Sequence, residues 1–301
     1  MTAKRLILFI LWAFVPMIGI GAVLHSVLPS VSPDGQVTTA ALLRPLFSAG
    51  AMLVPLLAVV LTQLICKEPV LRGLGISFRL NRWWWIGWLL MPLLAMAVLG
   101  VSLLMPGAHW GAADPMIQTA LQQAPQLGGT WGLIGISLVS GLLAGATLNA
   151  VLAFGEEIAW RGYLLRLFEG KKFLTVALLT GVIWGFWHFP FILNGHNYPQ
   201  HPVAGVFMMV LMCVAMTPIL LYFRQKSGSV LVPAIMHGTF NAVMGLSNVF
   251  IYPQNDLLIG GPGLAGILVL LLTDGCLFLY DRFISRENLF GSALCKEMRS
   301  I

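Results

Sequence analysis

Long apolar runs alternate along this chain with short polar stretches. A hydrocarbon core of about 30 Å needs roughly 20 apolar helical residues. Runs at 6–28, 46–66, 83–105, 131–154, 173–193, 203–223, 229–249 and 263–280 meet that length. They predict an all-α polytopic membrane protein with about eight transmembrane helices, residues 1–301 forming a single integral membrane domain. The first run follows Lys4 and Arg5, as a signal peptide's apolar region would. It is longer than such a region and no clean small-residue cleavage site follows, so it is assigned as the first span.

Composition agrees: 58% of residues are hydrophobic and 9% charged, against about 25% charged in soluble chains. The net charge of +6 would suggest nucleic acid in a soluble protein. Here the basic residues cluster at the ends of the apolar runs and report orientation instead. Lys4, Arg5, Lys67, Arg72, Arg79, Arg82, Arg161, Arg166, Lys171, Lys172, Arg224, Lys226, Arg282, Arg286, Lys296 and Arg299 fall on one side of the predicted membrane. The other side holds Arg44 with Asp34, Asp114 and Asp256. With 16 of 17 basic residues on one face, the positive-inside rule makes that face, and both termini, cytoplasmic. This asymmetry suits a bacterial plasma membrane. Trp83, Trp84 and Trp85 are expected to form an interfacial belt at the start of the third span. The four cysteines, Cys66, Cys213, Cys276 and Cys295, are scattered and suggest neither a disulfide framework nor a thiolate zinc site. No internal repeat points to inverted transporter halves.

Three polar motifs interrupt the apolar pattern. Glu156 and Glu157 are adjacent, and Arg161 follows the second by four residues. On a helix, Glu157 and Arg161 share a face, whereas Glu156 points about 100° away. Hydropathy alone ends this span at Phe154 and leaves both acids at the membrane surface. The sequence stays mostly apolar to Phe168, however, before Glu169-Gly170-Lys171-Lys172. A span running from about Val139 to Phe168 would set Glu156 about 18 Å from its cytoplasmic end. His188, in Trp184-Gly-Phe-Trp-His188, lies as far after Lys172 as Glu156 lies before it, so a helical hairpin centred there brings the two level. His237 and Asn241, four apart, share a helical face. Each motif has a plainer explanation: a solvated helix end, a packed histidine, interhelical hydrogen bonds. Their joint depth favours acid–base work. Asn149 is expected to extend the polar strip. Asp274 is a further intramembrane carboxylate with several possible roles. His196 and His201 are a weak metal signal, and no HExxH, GxSxG or phosphate-cradling glycine loop is present.

In this order, Glu-Glu-x-x-x-Arg, aromatic-x-x-x-His and His-x-x-x-Asn, with Gly162 and Pro190 beside them, resemble the CAAX-prenyl-protease and bacteriocin-processing family of intramembrane proteases. The resemblance covers residues 130–250 as a catalytic core in helices 4–7. It leaves 1–129 as an accessory three-helix part. Trp184 stands where the family usually has Phe. The resemblance implies an intramembrane endopeptidase acting on a membrane-associated peptide or protein, with the lipid bilayer as its setting. Glu156 and His188 would activate water, and His237 and Asn241 would form the oxyanion hole. Glu157 and Arg161 would orient the helix and tune the site. No cofactor is expected in the favoured glutamate mechanism. The alternative is zinc held by Glu156, His188 and His237, since a catalytic zinc takes three protein ligands and an open position. Outside the family, the same strip would suit a proton- or ion-coupled transporter. A non-catalytic scaffold or immunity protein of the same fold is the third possibility.

Overall fold

The computed structural model describes residues 2–26, 43–111, 117–119, 122, 126 and 128–294. Asp34, Asp114, Cys295, Lys296, Arg299 and the end of the first apolar run lie outside them. The chain folds into helices α1 (Thr2–Ser26), α2 (Arg44–Ala51), α3 (Val54–Ile65), α4 (Arg82–Leu103), α5 (Gly129–Ala146) and α6 (Leu148–Glu157). A π-helical turn, Ile158–Tyr163, leads into α7 (Leu164–Leu167). There follow α8 (Phe173–Trp187), α9 (Phe189–Ile192), α10 (Pro202–Ser227), α11 (Leu231–Val243), α12 (Leu246–Phe250) and α13 (Leu264–Leu279). Strands β1 (His109–Trp110) and β2 (Ile251–Tyr252) make a two-residue antiparallel pair.

Among the described residues, seven helical segments are long and apolar enough to cross a membrane: Thr2–Ser26, Leu46–Ile65, Arg82–Leu103, Gly129–Ala146, Phe173–Ile192, Pro202–Ser227 and Leu264–Ser285. Many large apolar side chains face outward, among them Leu46, Leu104, Leu148 and Val203, each more than 60% exposed. Water would not tolerate so much apolar surface, but lipid does. The protein is an all-α integral membrane protein.

Three sequence expectations are revised here. The apolar run 229–249 is not one helix: it divides at Met244-Gly245 into α11 and the short α12. At about 1.5 Å per residue, α11 is shorter than a bilayer core. It is enclosed by α4, α5 and α6, and most of its residues are buried. Nor does a helix begin near Val139. The segment before the glutamates runs unbroken through Gly129–Ala146 and breaks at Thr147, whose backbone leaves the helical region at φ −119° and ψ −102°. The Thr147 hydroxyl donates back to the Leu143 carbonyl at 2.7 Å, a contact that bends helices. Beyond the break, helical structure continues from Leu148 to Leu167. The glutamates therefore stand inside it, as the level pairing with His188 requires. Third, the tryptophan belt is split. Trp83 is buried edge-on against Tyr222 and Phe223, while Trp85 is exposed.

Candidate active site

Two close helix approaches build the site. Gly238 of α11 lies against α6, and a Cβ there would sit 2.6 Å from the Ala150 nitrogen. Gly155 plays the same part against the α2–α3 junction, where a Cβ would sit 2.4 Å from the Met52 carbonyl. Small residues at such crossings let backbones approach closely. The first approach brings His237, next to Gly238, onto the glutamate pair.

Glu157 is fully buried. Its Oε1 accepts from Arg161 Nη1 at 2.9 Å and pairs with His237 Nδ1 at 2.9 Å. Arg161 Nη2 donates to the Thr217 hydroxyl of α10 at 3.0 Å, and that hydroxyl donates on to the Cys213 carbonyl at 2.6 Å. A buried ion pair needs further hydrogen bonds to its members; His237 and Thr217 supply two of them from other helices, while Glu157 Oε2 and Arg161 Nε have no hydrogen-bond partner among the described residues. The i, i+4 pairing of Glu157 with Arg161 expected from the sequence is present, although the backbone between them has widened into a π-helical turn. Such turns often mark functional sites.

Glu156 points to the other side, 2% exposed. Among the described residues, the ion pairs of this site go to Glu157 and none to Glu156. Its Oε2 accepts from the Trp184 indole at 2.7 Å and lies 3.4 Å from the Trp160 indole. His188, at the end of α8, turns its Nδ1 to the Trp184 carbonyl at 2.9 Å. A carbonyl only accepts, so Nδ1 carries the hydrogen and the neutral ring keeps its lone pair at Nε2.

Glu156, His188, His237 and Asn241 all line one cavity of about 340 Å³. Six methionines share its wall: Met17, Met52, Met209, Met212, Met216 and Met244. Thioether side chains adapt to irregular apolar occupants. Trp184 and Trp187 also line it, with Trp187 donating to the Ala13 carbonyl of α1 at 3.1 Å. Toward the loops opposite the basic ones it reaches His196, Asn197, Asn248 and Pro262. There Tyr198 donates to the Pro262 carbonyl at 2.7 Å, and burial pushes its phenol up, so it remains a donor. His201 pairs with Asp256 at 2.6 Å, joining the two loops at this end.

Not every sequence candidate joins the site. Asn149 donates to the Gly238 carbonyl at 3.3 Å and does not line the cavity, so it braces the crossing and does not extend the strip. His201 pairs with Asp256, and among the described residues the two histidines gather no third metal-ligating side chain. Asp274 is likewise not among the lining residues. The zinc set fares no better as arranged: among the described residues no three His, Cys, Asp or Glu side chains group as metal ligands. Sequence reasoning missed the indoles of Trp160 and Trp184 as donors, though the aromatic place in the second motif marked one of them. It also missed Thr217, which no pattern marks.

Residues 131–243 match the model of the family described as type II CAAX prenyl endopeptidase, Rce1-like. The match agrees with the resemblance read from the motifs and contains all three of them. At family level it is a match to CAAX-type intramembrane proteases, which act on membrane-associated protein substrates. No curated protein matches the chain.

Proposed function

We propose that this protein is an intramembrane endopeptidase in which Glu156 activates water. The observation that carries it is the convergence of Glu156, His188, His237 and Asn241 on one cavity, within the segment that matches the peptidase family. Glu156 takes a proton from a water held against His188 Nε2, and the oxygen attacks the carbonyl carbon of the substrate. The carbonyl oxygen becomes an oxyanion facing His237 and Asn241. The proton on Glu156 passes to the leaving nitrogen, the carbon–nitrogen bond breaks, and a carboxylic acid and an amine remain, with Glu156 again a carboxylate. Asn241 donates from its amide. For His237 to donate from Nε2 both ring nitrogens must carry hydrogen, with Glu157 on Nδ1 as the counter-ion. Arg161 and Thr217 hold Glu157 in place for that task.

The distribution of basic residues supports a bacterial plasma membrane with both termini on its cytoplasmic side. A proton- or ion-coupled path would need a polar strip across the membrane; the positions of Asn149 and Asp274 outside the cavity give it no support. The test uses full-length protein in liposomes with fluorogenic membrane-anchored peptides, with and without a C-terminal prenylated cysteine. Cleavage is expected from the native protein, with loss of more than 100-fold in Glu156→Gln and His188→Gln, and no loss with a zinc chelator. Cleavage that survives Glu156→Gln would overturn the assignment.

A further inference from the structure

One residue touches most of the site without belonging to the acid–base set. Trp184 is 1% exposed. Its indole N–H reaches Glu156 Oε2 at 2.7 Å, and its carbonyl accepts from His188 Nδ1 at 2.9 Å. The Arg161 guanidinium lies over its ring, 4.3 Å from the centroid. The His237 ring meets it edge to face at 5.3 Å. We propose that Trp184 is the positioning residue of the site, its indole N–H fixing the Glu156 carboxylate toward the cavity.

The geometry separates this role from that of an aromatic wall. A carboxylate at the end of a flexible side chain must be held in orientation to act as a base. The available holders are neutral, because Arg161 is committed to Glu157 and Thr217. Both indole donors go to the same oxygen, Oε2, so Oε1 receives neither and is left to meet water. The guanidinium on the ring face in turn fixes the indole plane, since a cation over an aromatic face is attracted to it. Trp160, at 3.4 Å, is the weaker donor by distance. A phenylalanine at position 184 would keep the ring and its contact with Arg161, and would lose the donor.

The inference rests on the assignment of Glu156 as base, and its test separates the two. Trp184 is replaced in the full-length, reconstituted protein by β-(3-benzothienyl)alanine, which substitutes sulfur for the N–H and keeps the shape; Trp184→Phe and Trp160→Phe accompany it. A hydrogen bond to a charged group is expected to matter by roughly tenfold or more. In the benzothienyl protein kcat falls by about that factor while KM and the thermal midpoint stay within error; Trp160→Phe does less. Independently of turnover, the infrared carboxylate stretch of isotope-labelled Glu156 shifts in the analogue. An unmoved carboxylate band, or wild-type kcat in the analogue while Glu156→Gln is inactive, overturns the positioning role and leaves the base assignment standing. Cleavage surviving Glu156→Gln overturns both.

Discussion

Glu156 and Glu157 are neighbours in sequence and face different worlds. One accepts from indoles and borders the cavity; the other is enclosed by Arg161 and His237. The different tasks proposed for them follow from that division, as two acids in unlike environments commonly divide acid–base chemistry. Removing Arg161 takes the guanidinium from a fully buried carboxylate and leaves His237 as its remaining partner, a loss of about 3 kcal/mol, the low end for breaking a buried pair. Arg161→Ala is therefore expected to lower the thermal midpoint in detergent sharply, while Thr217→Ala, which removes one neutral partner, costs about 1 kcal/mol. Asn241 carries no such burden, being exposed to the cavity. Asn241→Ala is expected to leave stability unchanged and to reduce kcat by about 10²–10³, the range for loss of an oxyanion donor.

The helices matter through where they break and where they touch. The fourth predicted span is a helix, a break at Thr147, and a second helix that widens after the glutamates. The crossing of α6 and α11 at Gly238 sets how far His237 stands from Glu157. A methyl group at Gly238 meets backbone, which cannot swing aside, so Gly238→Ala is expected to destabilise by about 1–3 kcal/mol and to lower cleavage. Gly135 of α5 is the control: a Cβ there meets nothing within 4 Å, and Gly135→Ala should be neutral or slightly stabilising, helix propensity favouring alanine. Equal effects at both positions, measured by thermal unfolding, would remove the crossing from the account. The motif spacings showed which residues share a helix face, and hydropathy showed the helices. Neither records a crossing, because closeness between Gly238 and Ala150 depends on two segments far apart in sequence.

At the scale of the whole molecule, the cavity reaches His196, Asn197 and Asn248 in the loops opposite the basic ones. Glu68 gathers Arg5 and Arg166 among the basic loops, tying α1 to α7. With the native cysteines replaced by serine, Asn197→Cys and Asn248→Cys are expected to react with a membrane-impermeant thiol reagent from outside intact cells. Lys171→Cys should react only after the inner face is opened. Labelling of all three from one side would overturn the orientation drawn from charge.

Hydrophobic runs and three short motifs determined much of this protein from sequence alone: helices in a membrane, and the four side chains that share the cavity. These are properties of local composition and of periodicity within one helix, which a linear chain displays. The tertiary structure alone decided that α11 is an enclosed helix, that His237 leans on Glu157, and that an indole holds Glu156. It also decided that Asn149 braces a crossing instead of extending the site. Each of these depends on which helix packs against which and at what depth. Such choices are made when side chains distant in sequence compete for the same interior space, and no spacing along the chain encodes them.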